Sequence, residues 1–413
     1  MPPTDNVPQL VDHLFRHTAG QMVATLTRIL GAHQLQLAED MVQEVLITAL
    51  RQWPIRGVPD NPRAWLLRAA RNRALDVLRR EQRFADRAHL LRDELPPDRA
   101  EDLLNDDQLT MLLLCCHPAL TRESQIALTL KTVGGLDVAE IASALLVPTP
   151  TIAQRLVRAK RTLRALPAPF ALDDQTTLAP RRSVLLMTIY LIFNEGYSSQ
   201  RAQPVRYELI DEALRLGELV AAHPATAAPE THALLALLWL SAARAATRVD
   251  DTGGLLLLEE QDRNQWDRVA IGRGMWHLVR AATGAQISVY HLQAGIAACH
   301  ATAASIEETD WRAILAYYDQ LLHLEPSPVV ALNRAVAIAQ LHGPDAGLAA
   351  LAPLRGNPRL AQYPLLLATS GVLHARRGDR TQAIADLQAA AAQTSAPALL
   401  HLIVRRLAAI VGA

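Results

Sequence analysis

The chain has 413 residues, 41 of them basic and 41 acidic, so its formal net charge is zero and any nucleic-acid surface on it must be local. Half of the residues are hydrophobic but only 4% are aromatic, which favours helices packed on helices in two or more domains: an all-α chain. Three cysteines, Cys115, Cys116 and Cys299, exclude a disulfide framework and fit a reducing cytoplasm. No uncharged apolar run reaches about 18 residues and Met1–Gln21 lacks the apolar core of a signal peptide, so no membrane association is expected.

In chain order, the first clear element is a helix whose apolar stripe is Leu35, Ala38, Met41, Val42, Val45, Leu46, Ala49 and Leu50. Its other face carries Gln36, Glu39, Asp40, Gln43 and Glu44. Trp53-Pro54 is expected to end it, and Arg56 to Pro62 reads as a loop. A second helix starts near Arg63, with Trp65 or Leu66, Ala69, Ala74 or Leu75, and Leu78 as its apolar line. Its polar faces hold Arg63, Arg68, Arg71, Asn72, Arg73, Arg79, Arg80 and Arg83 against only Asp76 and Glu81. Arginine's planar fork suits phosphate, so this is a candidate nucleic-acid face; a solvated charged face is the alternative. Trp65 is either a stacking platform for an unstacked base or a core residue.

An acidic stretch follows, with Asp93, Glu94, Asp98, Glu101, Asp102, Asp106 and Asp107 around Pro96-Pro97, and it reads as a solvated tether. Cys115, Cys116 and His117 suggest a metal only superficially. A structural zinc site needs four ligands and no second Cys/His pair is near, so core cysteines are expected.

Residues 136–165 have the shape of a helix-turn-helix. Asp137 and Glu140 have the spacing of a helix start, and Val138, Ile141, Ala142 and Leu145 repeat at helical spacing. Pro148 breaks that helix, and Thr149-Pro150 suits an N-cap and first helical residue. The next helix places Ile152, Leu156, Ala159 and Leu163 on one face. Thr151, Gln154, Arg155, Arg158 and Arg161, with Lys160 and Arg164 alongside, form the other, and no acidic residue lies between Thr149 and Arg164. Such a helix fits the major groove of B-DNA; a basic solvent face on an ordinary core helix is the alternative.

The order LAEDMVQEVLITAL, then PRAWLLRAARNRALDVLRRE, then the helix-turn-helix resembles an extracytoplasmic-function sigma factor of the sigma-70 family. The resemblance implies sigma region 2 over 8–83, a linker over 84–107 and region 4 over 108–166. It implies core RNA polymerase and promoter DNA as partners. Glu39, Asp40, Gln43 and Glu44 would then dock on the polymerase, Arg63 to Arg80 would serve the −10 element, and Thr149 to Arg164 the −35 element. The string around Cys115-Cys116-His117-Pro118 also resembles a subgroup with a long helical C-terminal extension.

A Pro-rich boundary over 167–180 precedes a second half, 181–413, that reads as helical throughout. Asn333–Ala337, Gly343-Pro344-Asp345 and Leu348–Ala350 are echoed by Thr369–Leu373, Gly378-Asp379-Arg380 and Ala383–Ala385. Gly343 and Gly378 are 35 residues apart, close to the tetratricopeptide period of about 34. A further helix pair is predicted over Trp311–Leu324 and Pro328–Leu341. Within this half, Asn194, Glu195 and Tyr197, and Glu259, Glu260, Asp262 and Arg263, are polar clusters that also resemble the subgroup's extension. They are candidates for contact with an effector, protein or small molecule; helix-end networks inside the fold are the alternative.

No nucleophile–base pair, metal quartet or Gly-rich phosphate loop stands out, so neither catalysis nor a cofactor is expected. Three functions remain in contention: a sigma factor with a fused regulatory half, a stand-alone helix-turn-helix regulator with a sensor domain, and a peptide-binding repeat scaffold.

Overall fold

The computed structural model of the chain describes residues 7–80, 97–145, 147–166, 175–199 and 204–412. Among them are 18 α-helices and no strand, only an isolated antiparallel bridge between Val249 and Leu255. The chain forms two compact units, Met1–Phe193 with Asp211–Thr226, and Asn194–Ile210 with Ala227–Ala413.

In the first unit α1 (Val7–Leu30) packs against α2 (Leu35–Arg56), α3 (Pro62–Arg80) and α4 (Pro97–Cys115). Met22, Leu26 and Ile29 of α1, Trp53 of α2, and Leu66 and Leu78 of α3 are all buried. Helix α2 runs two residues beyond Trp53-Pro54, to Arg56, because Pro54 removes only one amide donor and Gly57, at φ 84°, supplies the stop. Its stripe is as predicted except at Leu50, which is 41% exposed. Pro62 stands at the first position of α3, and Asn61 Oδ1 caps it by accepting from Ala64 N at 2.9 Å. The buried line of α3 is Leu66, Ala70, Ala74 and Leu78, a strict i, i+4 row, so Ala70 replaces the predicted Ala69.

Residues 81–96, which hold Arg83 of the basic face and the first part of the acidic stretch, lie outside the described residues, as does 167–174 of the Pro-rich boundary. The remainder of the acidic stretch is helical from Pro97. Asp107 is buried on α4, where Arg28 of α1 reaches it at 2.6 Å and Thr25 at 3.1 Å. Burial raises its pKa above the usual carboxylate value even with Arg28 beside it. The tether read from the sequence thus ends in a helix that docks on α1.

Helix α4 leads into α5 (Arg122–Thr132), α6 (Val138–Ala144) and α7 (Thr149–Arg164). Cys115 and Cys116 are fully buried, and burial pushes the Cys116 thiol up to about 12. Gln125 Nε2 donates to the carbonyls of Cys116 and His117 at 3.2 and 2.8 Å, closing the end of α4. Helices α8 (Gln175–Tyr197) and α9 (Tyr207–Ala222) each cross the division between the two units. No helix among the described residues is long and apolar enough to cross a membrane.

The second unit is a succession of helices: α10 (Pro229–Ala242), α11 (Arg268–Ala281), α12 (Val289–Thr302), α13 (Trp311–Leu324), α14 (Pro328–His342), α15 (Pro344–Leu351), α16 (Pro364–Arg377), α17 (Arg380–Gln393) and α18 (Pro397–Val411). Each packs on the next, the arrangement of a stack in which helices bury their faces on chain neighbours. Helices α13 and α14 match the predicted pair to within one residue. Gly343 and Gly378 both turn the chain at positive φ, 90° and 89°, which side-chain-bearing residues disfavour. At Gly371 a Cβ would meet Leu387 Cγ at 2.7 Å, so a glycine is needed for α16 and α17 to approach.

Candidate nucleic-acid interface

Helix α7 begins after a capping box on its neighbour: Glu140 N donates to Asp137 Oδ1 at 2.7 Å and Asp137 N to Glu140 Oε2 at 2.6 Å. The stop between the helices is Pro148, which itself takes the N-cap position, so Thr149 and Pro150 both lie in the first turn of α7. Ile152, Leu156, Ala159 and Leu163 are all buried, against α5 and α6. With that face fixed, Gln154, Arg158, Arg161 and Arg164 are exposed and Thr151 and Arg155 half-buried. The result is a cationic ridge on the outer side of α7, without an acidic side chain of its own.

Lys160 leaves this ridge. Its Nζ pairs with Glu39 Oε2 and donates to Gln36 Oε1 at 2.8 Å, both on α2, while Thr132 donates to Glu39 Oε1 at 3.2 Å. Two residues expected to face separate partners, Lys160 toward DNA and Glu39 toward the polymerase, therefore hold each other. The sequence held no hint of this, because the two lie 121 positions apart.

On α3, Arg68, Asn72, Arg73 and Arg79 are exposed and Arg71 half-buried. Arg73 bonds Glu44 at 2.8 Å and Arg79 approaches Asp76 at 3.7 Å. Arg63 donates to the buried Gln21 of α1 at 2.9 Å, which ties the start of α3 to the core. Trp65 is half-buried, its ring edge-on to Trp53 with centroids 5.6 Å apart. The side chain of Arg80 lies outside the described residues.

Asp40, Gln43 and Glu44 are exposed on one face of α2, where Gln36 donates to Asp40 Oδ1 at 2.8 Å. Ile47, 47% exposed, extends that face by one turn, and Leu50 adjoins it. Ile47 escaped the sequence reading although a signal was present: it falls at i+4 from Gln43, on the polar side of the helix. Acidic and amide groups beside exposed Ile and Leu are suited to a protein partner.

The C-terminal candidates are engaged within their own unit. Glu195 accepts from Ser199 at 3.2 Å and from the buried Arg206 at 3.4 Å, and Asn194 O accepts from Ser198 N at 2.9 Å. The guanidinium of Arg248 lies 3.8 Å from the centroid of the Tyr197 ring. Asp262 caps a short 3-10 turn, accepting from Asn264 N at 3.0 Å. Arg263 donates to the carbonyls of His300 and Ala303, both at 2.9 Å, and to Thr309 Oγ1 at 3.1 Å, satisfying the end of α12. Glu259 pairs with Arg376 and with Arg406, the latter at 3.2 Å, and Glu260 with Arg405 and Arg406 at 3.0 and 3.1 Å.

Residues 14–84 match the family described as Sigma-70 region 2 and residues 110–163 that described as Sigma-70, region 4. Residues 181–282 match a family of unknown function, DUF6596. These domains are those of an RNA polymerase sigma factor, a protein of transcription initiation. The chain carries both sigma-70 domains and belongs to one family with an uncharacterized protein of Rhizobium meliloti that is 40% identical over 346 residues, 80% of this chain and 79% of that one. No solved structure matches the chain.

Proposed function

We propose that the chain is a promoter-selective sigma factor of the extracytoplasmic-function type, with a tetratricopeptide-like C-terminal half that regulates it. Helix α7 reads the −35 element through Thr151, Gln154, Arg155, Arg158 and Arg161. Helix α3 serves the −10 element through Arg68, Arg71, Asn72, Arg73 and Arg79, which neutralise phosphate while the DNA opens. The face of Asp40, Gln43, Glu44 and Ile47 docks on core polymerase. The observation that carries this reading is the outer side of α7: its apolar face is wholly buried, so the acid-free basic ridge has nowhere to point but outward. The succession of helix pairs with glycine turns at Gly343 and Gly378 supports the repeat-like character of the second half.

The test is reconstituted run-off transcription from a promoter library with core enzyme and the purified chain. Transcripts that core enzyme alone does not start are expected. Arg158→Ala with Arg161→Ala should weaken duplex binding and reduce the salt slope by about 2. Asp40→Ala with Gln43→Ala should abolish co-elution with core enzyme and leave duplex binding unchanged. A folded chain that neither co-elutes with core enzyme nor starts transcripts would refute the reading. Duplex binding that survives without co-elution would favour the stand-alone regulator.

A further inference from the structure

The C-terminal unit holds a half-open cavity of about 280 Å³, just below the range of small-molecule sites, which span roughly 300–1,000 Å³. Its wall is built by one face of α16, where Leu365, Thr369, Val372 and Arg376 follow at i, i+4, i+7 and i+11. Trp311 and Tyr318 of α13 and Ile403 of α18 complete a largely apolar interior. Asn333, Gln340, Thr369 and His300 also line it, and His300 Nδ1 is buried without a hydrogen-bond partner among the described residues. An apolar cavity with a few polar groups is the usual form of a ligand site.

The charged part of the wall shows what such a ligand would carry. Arg376 and Arg406 both line the cavity, and both bind the carboxylate of Glu259, one on each oxygen. Glu259 lies in the segment Leu255–Glu260, which is tied to the last helix by Leu255 N to Ala398 O at 3.4 Å and by Arg405 to Leu255 O at 3.1 Å. Leu257 and Leu258, next to Glu259, line the cavity as well. The protein thus places its own carboxylate, joined to an apolar group, on a pair of guanidinium groups at the cavity wall.

We propose that this cavity binds a small organic acid, with its apolar body against Trp311, Tyr318 and Val372 and its carboxylate exchanging with that of Glu259 on Arg376 and Arg406. Two guanidinium groups give a carboxylate charge-assisted hydrogen bonds that an alcohol of the same shape cannot match. Binding releases Glu259, and with it one fastening of the segment Leu255–Glu260, so occupancy changes how that segment is held on α16 and α18. The inference deepens the regulatory reading of this half, but its test needs neither polymerase nor promoter and can fail while the sigma reading stands.

The experiment is calorimetric titration of the full chain with butanoate, hexanoate, octanoate and phenylacetate, and with octan-1-ol as the uncharged match for octanoate. At least one acid should bind saturably, and octan-1-ol at least about tenfold more weakly than octanoate. Glu259→Gln removes the carboxylate shared by Arg376 and Arg406, leaving Glu260 on Arg406 alone of the two, and should tighten acid binding by about threefold or more, the reverse of what damage to a structural contact would do. Val336→Trp, which puts a bulky ring into the cavity from a lining position and leaves both arginines in the sequence, should abolish binding while circular dichroism shows an intact helical fold. The proposal is overturned if no acid of the series binds, if acid and alcohol bind alike, if Glu259→Gln fails to tighten binding, or if Val336→Trp retains it.

Discussion

Exchanging Glu39 for Gln removes the charge that holds Lys160, and with it α7, against α2. The side chains of Lys160 and Glu39 are 20% and 13% exposed, so the pair is neither a surface pair nor a dry one. Unit charges about 4 Å apart at an effective dielectric near 20 attract by about 4 kcal/mol. Partial desolvation of both groups offsets most of this, whereas a fully exposed pair would contribute only about 0.2–1 kcal/mol. Glu39 also accepts from Thr132 at 3.2 Å, which keeps its second oxygen satisfied in the paired geometry. The expected coupling between the two side chains is about 1–2 kcal/mol. It is measured by a double-mutant cycle of Glu39→Gln and Lys160→Met, read as hydrogen exchange of the α7 amides. Exchange reports local opening and does not require a chain of two units to unfold in one step. A coupling of this size is a roughly 5- to 30-fold non-additive change in exchange rate, shrinking in high salt. Strictly additive effects of the two substitutions would refute the reasoning, since a pair that holds α7 on α2 must be non-additive.

Two further predictions concern buried titratable groups. Asp107→Asn keeps an acceptor for Thr25 and removes a charge that burial disfavours, so urea unfolding should change by less than about 1 kcal/mol; Asp107→Ala leaves both Thr25 and Arg28 without that partner and should cost about 1–3 kcal/mol. His300 is pushed down to about 3 by burial, with Arg244 and Arg263 nearby adding to it. The folded pKa lies below the unfolded one, so the unfolded chain takes up the proton first: stability is full above about pH 6.5 and declines as pH falls toward 3, by up to about 1.4 kcal/mol per pH unit. Between pH 7 and 5 the His300→Gln variant should lose about 1–2 kcal/mol less than the wild type in denaturant titrations of the C-terminal unit's signal; equal losses would show that His300 carries none of the pH dependence.

What the sequence determined by itself was local. The capping box of Asp137 and Glu140, the buried row Ile152, Leu156, Ala159 and Leu163, and the pair α13 and α14 follow from hydrophobic spacing, caps and proline stops, which act over a few residues. From that row the outward direction of Arg158 and Arg161 follows almost by geometry. The small departures have local causes too: Pro54 leaves α2 two more residues until Gly57 ends it, and Ala70 rather than Ala69 continues the row of Leu66, because candidates one position apart differ by 100° around a helix.

Other features only the tertiary structure decided. Lys160 sits on the basic helix and Glu39 on the acidic one, and nothing near either of them in the chain says that the two meet. Asp107 belongs by composition to a solvated tether, yet α4 brings it under Arg28. Glu259 finds Arg376 and Arg406 across 117 and 147 positions, and the cavity beside them exists only because α13, α14, α16 and α18 converge there. Periodicity specifies which face of a helix is buried, but the partner of a charged side chain depends on which helices pack together, and that is settled by the core as a whole.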